Sequence, residues 1–198
     1  LGSMGGSVES IIKKYKNKMH KGDSFVTNAP YDGGTHLPDI TVITPVFPLR
    51  SRKASFFVAA RGHHTDIGGL TAGSMPSNSI NINQEGVLIN PMRLVSNGKF
   101  LIDKVRRVLS SGPYPSRNPT QNIADLKAQI AACNKGALEL GELTKHYGSQ
   151  FTSQYTQLVQ NNAEEAVRRT IKTLKSGSFT APMDDGSHIT VKVSVNRR

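Results

Sequence analysis

Two short loops of the sequence contain most of the side chains that could bind a metal ion. These side chains, which fall within residues 33–39 and 60–69, are His36, Asp39, His63, His64 and Asp66. Imidazole nitrogens and carboxylate oxygens are the ligands that zinc and similar divalent ions take up in proteins. Together the two loops therefore predict a divalent-metal site, although each residue taken alone could be a polar loop residue that bonds to a turn.

The two histidines of the second loop cannot both bind one ion from a regular strand. His63 and His64 follow an apolar run, Phe56 to Ala60, that predicts a buried strand. Because adjacent side chains of a strand point to opposite faces, the pair could share an ion only where the strand has ended or bulged. His64 and Asp66 lie two positions apart and could share one face.

Longer motifs surround these residues and stand in a fixed order along the chain. They are Gly33-Gly34-Thr35-His36-Leu37-Pro38-Asp39, Arg61-Gly62-His63-His64-Thr65-Asp66-Ile67-Gly68-Gly69, Gly73-Ser74-Met75-Pro76 and Gln84-Glu85-Gly86. In these motifs, and over the stretch from about Val8 to about Val195, the sequence resembles the hydantoinase B/5-oxoprolinase family.

The resemblance implies a reaction in two parts. An ATP-using module would phosphorylate the carbonyl oxygen of 5-oxo-L-proline, and the hydantoinase B part would open the activated lactam with water to L-glutamate, a step of glutathione turnover. The sequence contains neither of the phosphate-binding patterns GxxxxGK[ST] and GxGxxG, so ATP would be used by a module outside this chain. Sibling functions, an ATP-dependent N-methylhydantoinase or an acetone carboxylase-type subunit, are the alternatives.

Ligand chemistry divides the candidate residues into three groups. A divalent ion, Mn²⁺, Mg²⁺ or Zn²⁺, is expected to bind His36, Asp39, His64 and Asp66, with His36 the least preferred of the four. The residues expected to move protons are His63, which is also an alternative ligand, and Glu85. The residues expected to contact substrate are Tyr31, Thr71 and Ser74, although side chains of the latter two could instead bond to the local backbone.

Three polar residues of the C-terminal half are expected to have structural roles. Arg117 is predicted to form an ion pair with a carboxylate. Asn122 and Gln129, which lie on a predicted long helix, are predicted to make contacts between helices or at the surface.

Partners and cellular setting follow from the resemblance and from the composition. We expect a hydantoinase A-like ATPase module in the same or a partner chain, a small lactam substrate and a homo-oligomer. The single cysteine, Cys133, excludes an internal disulfide and suits a reducing cytosol. The sequence lacks the run of about 18 apolar residues that a membrane span requires.

The chain carries a strong positive charge, with 25 Lys and Arg residues against 14 Asp and Glu residues, a net charge of +11 and a pI near 10.0. This surplus admits an alternative of another class, a basic nucleic-acid-binding module without catalysis. However, the basic residues are scattered, and no aromatic residues are interleaved with them as a base-stacking surface would need. We therefore expect no nucleic-acid partner.

The pattern of apolar residues predicts an α+β fold. A first helix, residues 7–20, is expected before a mixed sheet that includes strands at residues 79–83 and 87–90. Two long helices, residues 120–146 and 151–174, are expected to form an antiparallel pair. A β-hairpin around Asp184-Asp185-Gly186 is then expected to close the fold.

The domain organisation is expected to be simple. Residues 7–198 are taken as one hydantoinase B-like domain that is a fragment of a larger protein. Residues 1–6, in which Leu1-Gly2-Ser3 precedes a methionine, are taken as a disordered tag remnant and excluded from the fold.

Overall fold

The computed structural model describes residues 2–48 and 51–196, and the chain divides into two compact units, residues 1–143 and 144–198. The elements of the first unit are α1 (Met4–Tyr15), β1 (Ser24–Thr27), β2 (Asp39–Val46), β3 (Phe56–His63), β4 (Met92–Ser96), β5 (Lys99–Phe100), α2 (Ile102–Leu109) and most of α3 (Pro119–Tyr147). Short 3-10 turns are present at Pro30–Asp32 and Ile82–Gln84.

The five strands of the first unit form one sheet in the order β3-β2-β1-β4-β5. We expected a mixed sheet, but each of its strand pairings is antiparallel. Three of these pairs, β1–β2, β2–β3 and β4–β5, join strands that are consecutive in the chain, and a short link reverses the chain whereas a parallel pair needs a long crossover. Strands β1 and β4 pair antiparallel across a long connection. The link between β4 and β5 is a tight turn in which Asn97 and Gly98 both have positive φ, as in the turns that join hairpin strands.

Successive side chains of a strand point to opposite faces of the sheet, and apolar side chains form a hydrophobic core on each face. On one face, strand residues pack against α2 and α3, and the buried members include Val26, Ile40, Val42, Leu94, Val105, Leu109, Ile123, Leu126 and Cys133. On the other face, Phe25 and Ile43 pack against Ile11 of α1. The sheet is therefore covered by α1 on one side and by α2 and α3 on the other.

The first helix begins and ends earlier than predicted. Residues 4–6, which we expected to be disordered, form the first turn of α1, and the helix ends at Tyr15 rather than near His20. Asn17 has a positive φ of 63°, which a helix does not accommodate. Leu1 lies outside the described residues, and the origin of the 1–6 segment stays a prediction.

Asn28, which follows β1, ties two loops together from a fully buried position. Its Nδ2 donates to the carbonyls of Leu37 at 2.8 Å and Val87 at 3.0 Å, and its Oδ1 accepts from the N–H of Ile89 at 2.6 Å. The strand predicted at residues 87–90 is therefore wrong. The amide of Asn28 occupies backbone groups that a neighbouring strand would otherwise pair with.

The strand predicted at residues 79–83 is also wrong. Asn81 Oδ1 accepts from the N–H of Asn83 at 3.1 Å, and Gln84 Oε1 accepts from the N–H of Ile80 at 2.7 Å. Such local side-chain bonds offer the backbone an alternative to strand pairing. Ile80, whose apolar side chain supported the prediction, is exposed.

The second unit contains the end of α3, a long helix α4 (Ser149–Thr173), and the strands β6 (Gly177–Pro182) and β7 (His188–Val193). The two strands pair antiparallel, with Phe179 opposite Val191, so the closing hairpin is confirmed. The α+β class is confirmed as well, while the antiparallel packing of the two long helices stays a prediction. In the described part of the chain, no helix combines the length and the apolar character needed to cross a membrane.

Replacement of Asn28 by alanine is expected to lower the free energy of unfolding by about 2–4 kcal/mol, because two carbonyls and one N–H would lose their buried partner. Urea denaturation monitored by circular dichroism measures this loss. Asn81→Ala, which removes one bond from an exposed asparagine, is the matched control and is expected to cost less than about 1 kcal/mol. Equal losses of unfolding free energy in the two variants would show that the buried bonds of Asn28 contribute no more than an exposed bond.

Candidate metal site

Three of the predicted residues come together at one end of the β2–β3 pair. His36, Asp39 and His63 each offer a ligand atom, and these atoms all lie within 4.8 Å of one another. His63 Nδ1 lies 2.8 Å from Asp39 Oδ1, and the centroids of the His36 and His63 rings are 5.4 Å apart. Within the described residues, no other group of three or more His, Cys, Asp or Glu side chains converges in this way.

The register of the β2–β3 pair brings Asp39 and His63 together. Val46 pairs with Phe56 next to the connecting loop, and seven residues further along each strand Asp39 pairs with His63. Residues that face each other across an antiparallel pair have side chains on the same face, close enough to interact. Strand β3 thus runs to His63, three residues beyond its predicted end, and His63 is its last residue.

The backbone of the first loop is bonded directly to the second. The carbonyl of Pro38, between His36 and Asp39, accepts from the N–H of Ile40 and from the N–H of His64, each at 2.9 Å. The carbonyl of Leu37 accepts from the buried Asn28 amide described above. The main chain on either side of the cluster is therefore held by hydrogen bonds.

His64 points to the opposite face of the sheet, toward α3. Its side chain is 1% exposed, and both ring nitrogens have amide partners. Asn122 Nδ2 donates to His64 Nδ1 at 3.1 Å, so the ring proton is on Nε2, which donates to Gln129 Oε1 at 3.1 Å. Burial lowers the pKa of His64, and the bond to Gln129 and the carboxylate of Asp125 oppose this only in part. His64 is therefore a neutral histidine whose nitrogens are both in use.

Asp66 organises its own loop rather than joining the cluster. Its carboxylate accepts from the N–H groups of Gly68 at 2.9 Å and Gly73 at 3.0 Å, and from Arg117 Nη1 at 2.8 Å. Burial alone would raise the pKa of the Asp66 carboxyl, but the backbone N–H donors and the Arg117 guanidinium together lower it. The structural ion pair predicted for Arg117 is thus confirmed, and its partner is Asp66.

The other predicted site residues occupy different settings. Ser74 is buried, and its Oγ accepts from the N–H of Ile67 at 3.0 Å and donates to the carbonyl of Gly68 at 2.6 Å, so it serves the backbone. Thr71 and Glu85 are exposed. Tyr31 is fully exposed and lines an open cleft of about 740 Å³ beside α1.

Of the four residues predicted as ligands, the structure brings His36 and Asp39 together with His63, and it places His64 and Asp66 elsewhere. Asn122 and Gln129, which we assigned to contacts between helices or at the surface, instead bond to His64. The sequence did contain a signal for this. A polar side chain on the apolar stripe of a helix is buried, and buried polar groups are hydrogen-bonded.

The donor set fits a divalent ion. Two imidazoles and one carboxylate are a common zinc and transition-metal combination, and three protein ligands leave coordination positions open for other molecules. Metal bonds of about 2.0–2.2 Å place neighbouring donor atoms about 3 Å apart, which the Asp39–His63 distance of 2.8 Å already approaches. The side chain of His63 is 54% exposed, so the cluster is open to solvent.

Replacement of Asp66 by asparagine is expected to lower stability at neutral pH by about 1–3 kcal/mol, since bonds to a charged acceptor are lost. The pKa of Asp66 is lowered in the folded chain, so its contribution is present above the unfolded value and disappears as the pH falls through the folded value. Urea midpoints of the wild type and Asp66→Asn should therefore converge as the pH is lowered from 7 to below about 4.

The exposed turn residue Asp184 supplies the control, because Asp184→Asn removes a carboxylate without removing such a set of donors. We expect that variant to keep the urea midpoint of the wild type at neutral pH. A difference between the wild type and Asp66→Asn that stays constant with pH would contradict the assignment.

Comparison with known proteins shows the family of the chain. The Hydantoinase B/oxoprolinase family matches residues 1–198. A 5-oxoprolinase from Dictyostelium discoideum is 41% identical over 206 residues, covering 100% of this chain and 16% of that protein. A 5-oxoprolinase from Saccharomyces cerevisiae is 38% identical, with 98% of this chain and 16% of that protein covered. The chain thus spans about one sixth of the length of these relatives.

A solved structure shares the fold. The crystal structure of an ATP-dependent caprolactamase from Pseudomonas jessenii superposes with a TM-score of 0.82 at 24% sequence identity, covering 98% of this chain and 34% of that chain. The likeness of fold and the match over the full sequence agree with each other. The chain belongs to the Hydantoinase B/oxoprolinase family.

Proposed function

We propose that His36, Asp39 and His63 bind one divalent ion, Mn²⁺, Mg²⁺ or Zn²⁺, and that the chain is the hydrolytic part of an ATP-dependent 5-oxoprolinase. The observation that carries the metal proposal is the convergence of these three ligand atoms within 4.8 Å. His63 replaces His64 and Asp66 in our assignment, because His64 faces α3 and the carboxylate of Asp66 is bonded to Arg117 and its own loop.

The proposed substrate is a lactam, 5-oxo-L-proline, activated with ATP. An amide carbonyl is a poor electrophile because the nitrogen lone pair is delocalised into it, and phosphorylation of the oxygen creates a leaving group. Water would then add to the activated carbon, and the ring C–N bond would break as the nitrogen gains a proton, leaving an acyl phosphate. A second water would release phosphate from it to give L-glutamate, and ADP would leave from the earlier phosphoryl transfer. A divalent ion at the site would supply Lewis-acid stabilisation of developing negative charge and lower the pKa of water to about 7.

The chain's own side chains would hold and orient the reacting groups. Asp39 would contribute the negative charge of the site, and its Oδ1 lies 2.8 Å from His63 Nδ1, so the two atoms could bind one ion side by side. Glu85 is exposed, and we keep it as a candidate general base. Tyr31 and Thr71, which are exposed, are kept as candidate substrate contacts.

The ATP step requires a partner. No phosphate-cradling motif is present in the sequence, and the curated relatives are about six times longer than the matched region. We therefore propose that this chain is a fragment of a larger protein and acts with a hydantoinase A-like ATPase module of the same or a partner chain. A homo-oligomer working in the cytosol, and a place in glutathione turnover, complete the proposal.

Replacement of Asp39 or His63 by alanine is expected to abolish stoichiometric binding of Mn²⁺ or Zn²⁺, because each removes one of three ligands. Elemental analysis after loading and dialysis measures the metal content, and circular dichroism verifies that the variants are folded. His188→Ala, which changes an exposed histidine of β7, should retain the metal of the wild type. Loss of metal in Asp66→Asn but not in His63→Ala would overturn our assignment.

The reaction is tested in the full-length protein that contains this chain. We expect ATP-dependent release of L-glutamate from 5-oxo-L-proline, and loss of that activity in Asp39→Ala and His63→Ala. Turnover of N-methylhydantoin or of acetone in place of 5-oxo-L-proline would assign the chain to a sibling activity. Metal binding without turnover of any of these substrates would leave the metal site standing and refute the reaction.

A further inference from the structure

Gln129 of α3 lies directly on the backbone of the strand that carries His63. A Cβ atom placed on Gly62 would meet Gln129 Nε2 at 3.2 Å and its Cδ at 3.3 Å. Gly62 is in the interior of β3, and its side-chain position faces α3, as do those of Ala60 and His64 on either side. The absence of a side chain at Gly62 therefore makes the space that the amide of Gln129 occupies.

The amide of Gln129 bonds to both strands of the pair and to the segment that follows. Its Nε2 donates to the carbonyl of Ile40 at 2.8 Å and to the carbonyl of Ala60 at 3.1 Å, and its Oε1 accepts from His64 Nε2 at 3.1 Å. Ile40 is next to Asp39 in the chain, and His64 is next to His63. One side chain is therefore bonded to the immediate neighbours of two residues of the cluster.

We propose that Gln129 is a positioning residue of the His36–Asp39–His63 cluster and sets the separation of Asp39 and His63 from the far side of the sheet. This inference rests on the proposed metal site. The amide has both a donor and an acceptor end, so it can tie two carbonyls and a histidine N–H without introducing a buried charge. Its connection to the ligands passes through the backbone of β2 and β3, so its loss would loosen the ligand geometry.

Asn122, the second amide residue bonded to His64, bonds to other parts of the chain than Gln129 does. Its Nδ2 donates to His64 Nδ1 at 3.1 Å and to the carbonyl of Asp66 at 2.9 Å, and its Oδ1 accepts from the hydroxyl of Ser116. It therefore connects the helix to the loop after β3. Gln129 differs because it also bonds to Ile40 on β2, the strand that carries Asp39.

The test is the affinity of the chain for Co²⁺, measured by calorimetric titration and by the visible absorption of the bound ion. Gln129→Met keeps the length of the side chain but removes its hydrogen bonds, and we expect it to raise the Kd for Co²⁺ about 10–100-fold. Gly62→Ala is expected to raise the Kd as well, because the new methyl group would lie 3.2 Å from Gln129 Nε2 and would push the amide out of position by a few tenths of an ångström. In a Gln129→Ala background the same Gly62→Ala change should add nothing, since no amide is left to displace.

Cys133→Ala is the control for a purely structural effect. Cys133 lies one turn further along α3, is fully buried and contacts the carbonyl of Val42 on β2, away from the neighbours of the ligands. We expect this variant to lose thermal stability but to keep the wild-type Kd and absorption spectrum.

The outcomes separate this inference from the function on which it rests. Wild-type Co²⁺ affinity in both Gln129→Met and Gly62→Ala would overturn the positioning role while leaving the metal site intact. An equal loss of affinity in Cys133→Ala would show that Gln129 acts only through stability, and would overturn the inference in the same way. A wild-type chain that binds no Co²⁺ would overturn the metal site and, with it, this inference.

Discussion

Side chains on paired antiparallel strands alternate between two faces, and in the β2–β3 pair this alternation separates two adjacent histidines. His63 is directed to the face of Asp39, and His64 is directed to the face covered by α3. One histidine is thereby left half-exposed beside a carboxylate, and the other is buried against two amides. Any shift of one residue in the register would exchange these roles, because the strand repeat is two residues. The chemistry available at this end of the sheet therefore depends on strand pairing.

Buried amides hold this pairing in place. Asn28, Asn122 and Gln129 are each buried. Gln129 bonds to both strands of the pair and to His64, Asn122 bonds to the loop after β3, and Asn28 bonds to the loop before β2. An amide side chain suits this task because it donates and accepts at once and carries no charge that burial would penalise. Buried polar networks of this kind stabilise one arrangement when every member is satisfied. They explain how loops rich in glycine and polar residues hold a defined geometry next to the sheet.

The loop after His64 is also held by a charged side chain, Asp66. The carboxylate of Asp66 accepts hydrogen bonds from the N–H groups of two glycines and from the side chain of Arg117. Arg117 also donates to the carbonyl of Gly69 at 2.7 Å. These bonds replace the regular backbone pairing that an irregular loop lacks. The two carboxylates of the metal-type motifs, Asp39 and Asp66, therefore have different surroundings. One lies beside two histidines, and the other is bonded to a guanidinium and to the backbone.

The sequence by itself determined the residue types, the long helices, the closing hairpin and the strands that frame the two loops, because these follow from apolar periodicity and turn residues close together in the chain. It also placed His36, Asp39 and His63 among the candidates, and it indicated that adjacent histidines diverge. Where it failed, at residues 79–83 and 87–90, side chains of Asn81, Gln84 and Asn28 had taken the backbone groups of an expected strand. Only the tertiary structure decided which histidine joins Asp39 and what Asn122 and Gln129 contact. These outcomes depend on strand register and on a helix that follows more than fifty residues later, and such long-range contacts leave no local pattern in the sequence.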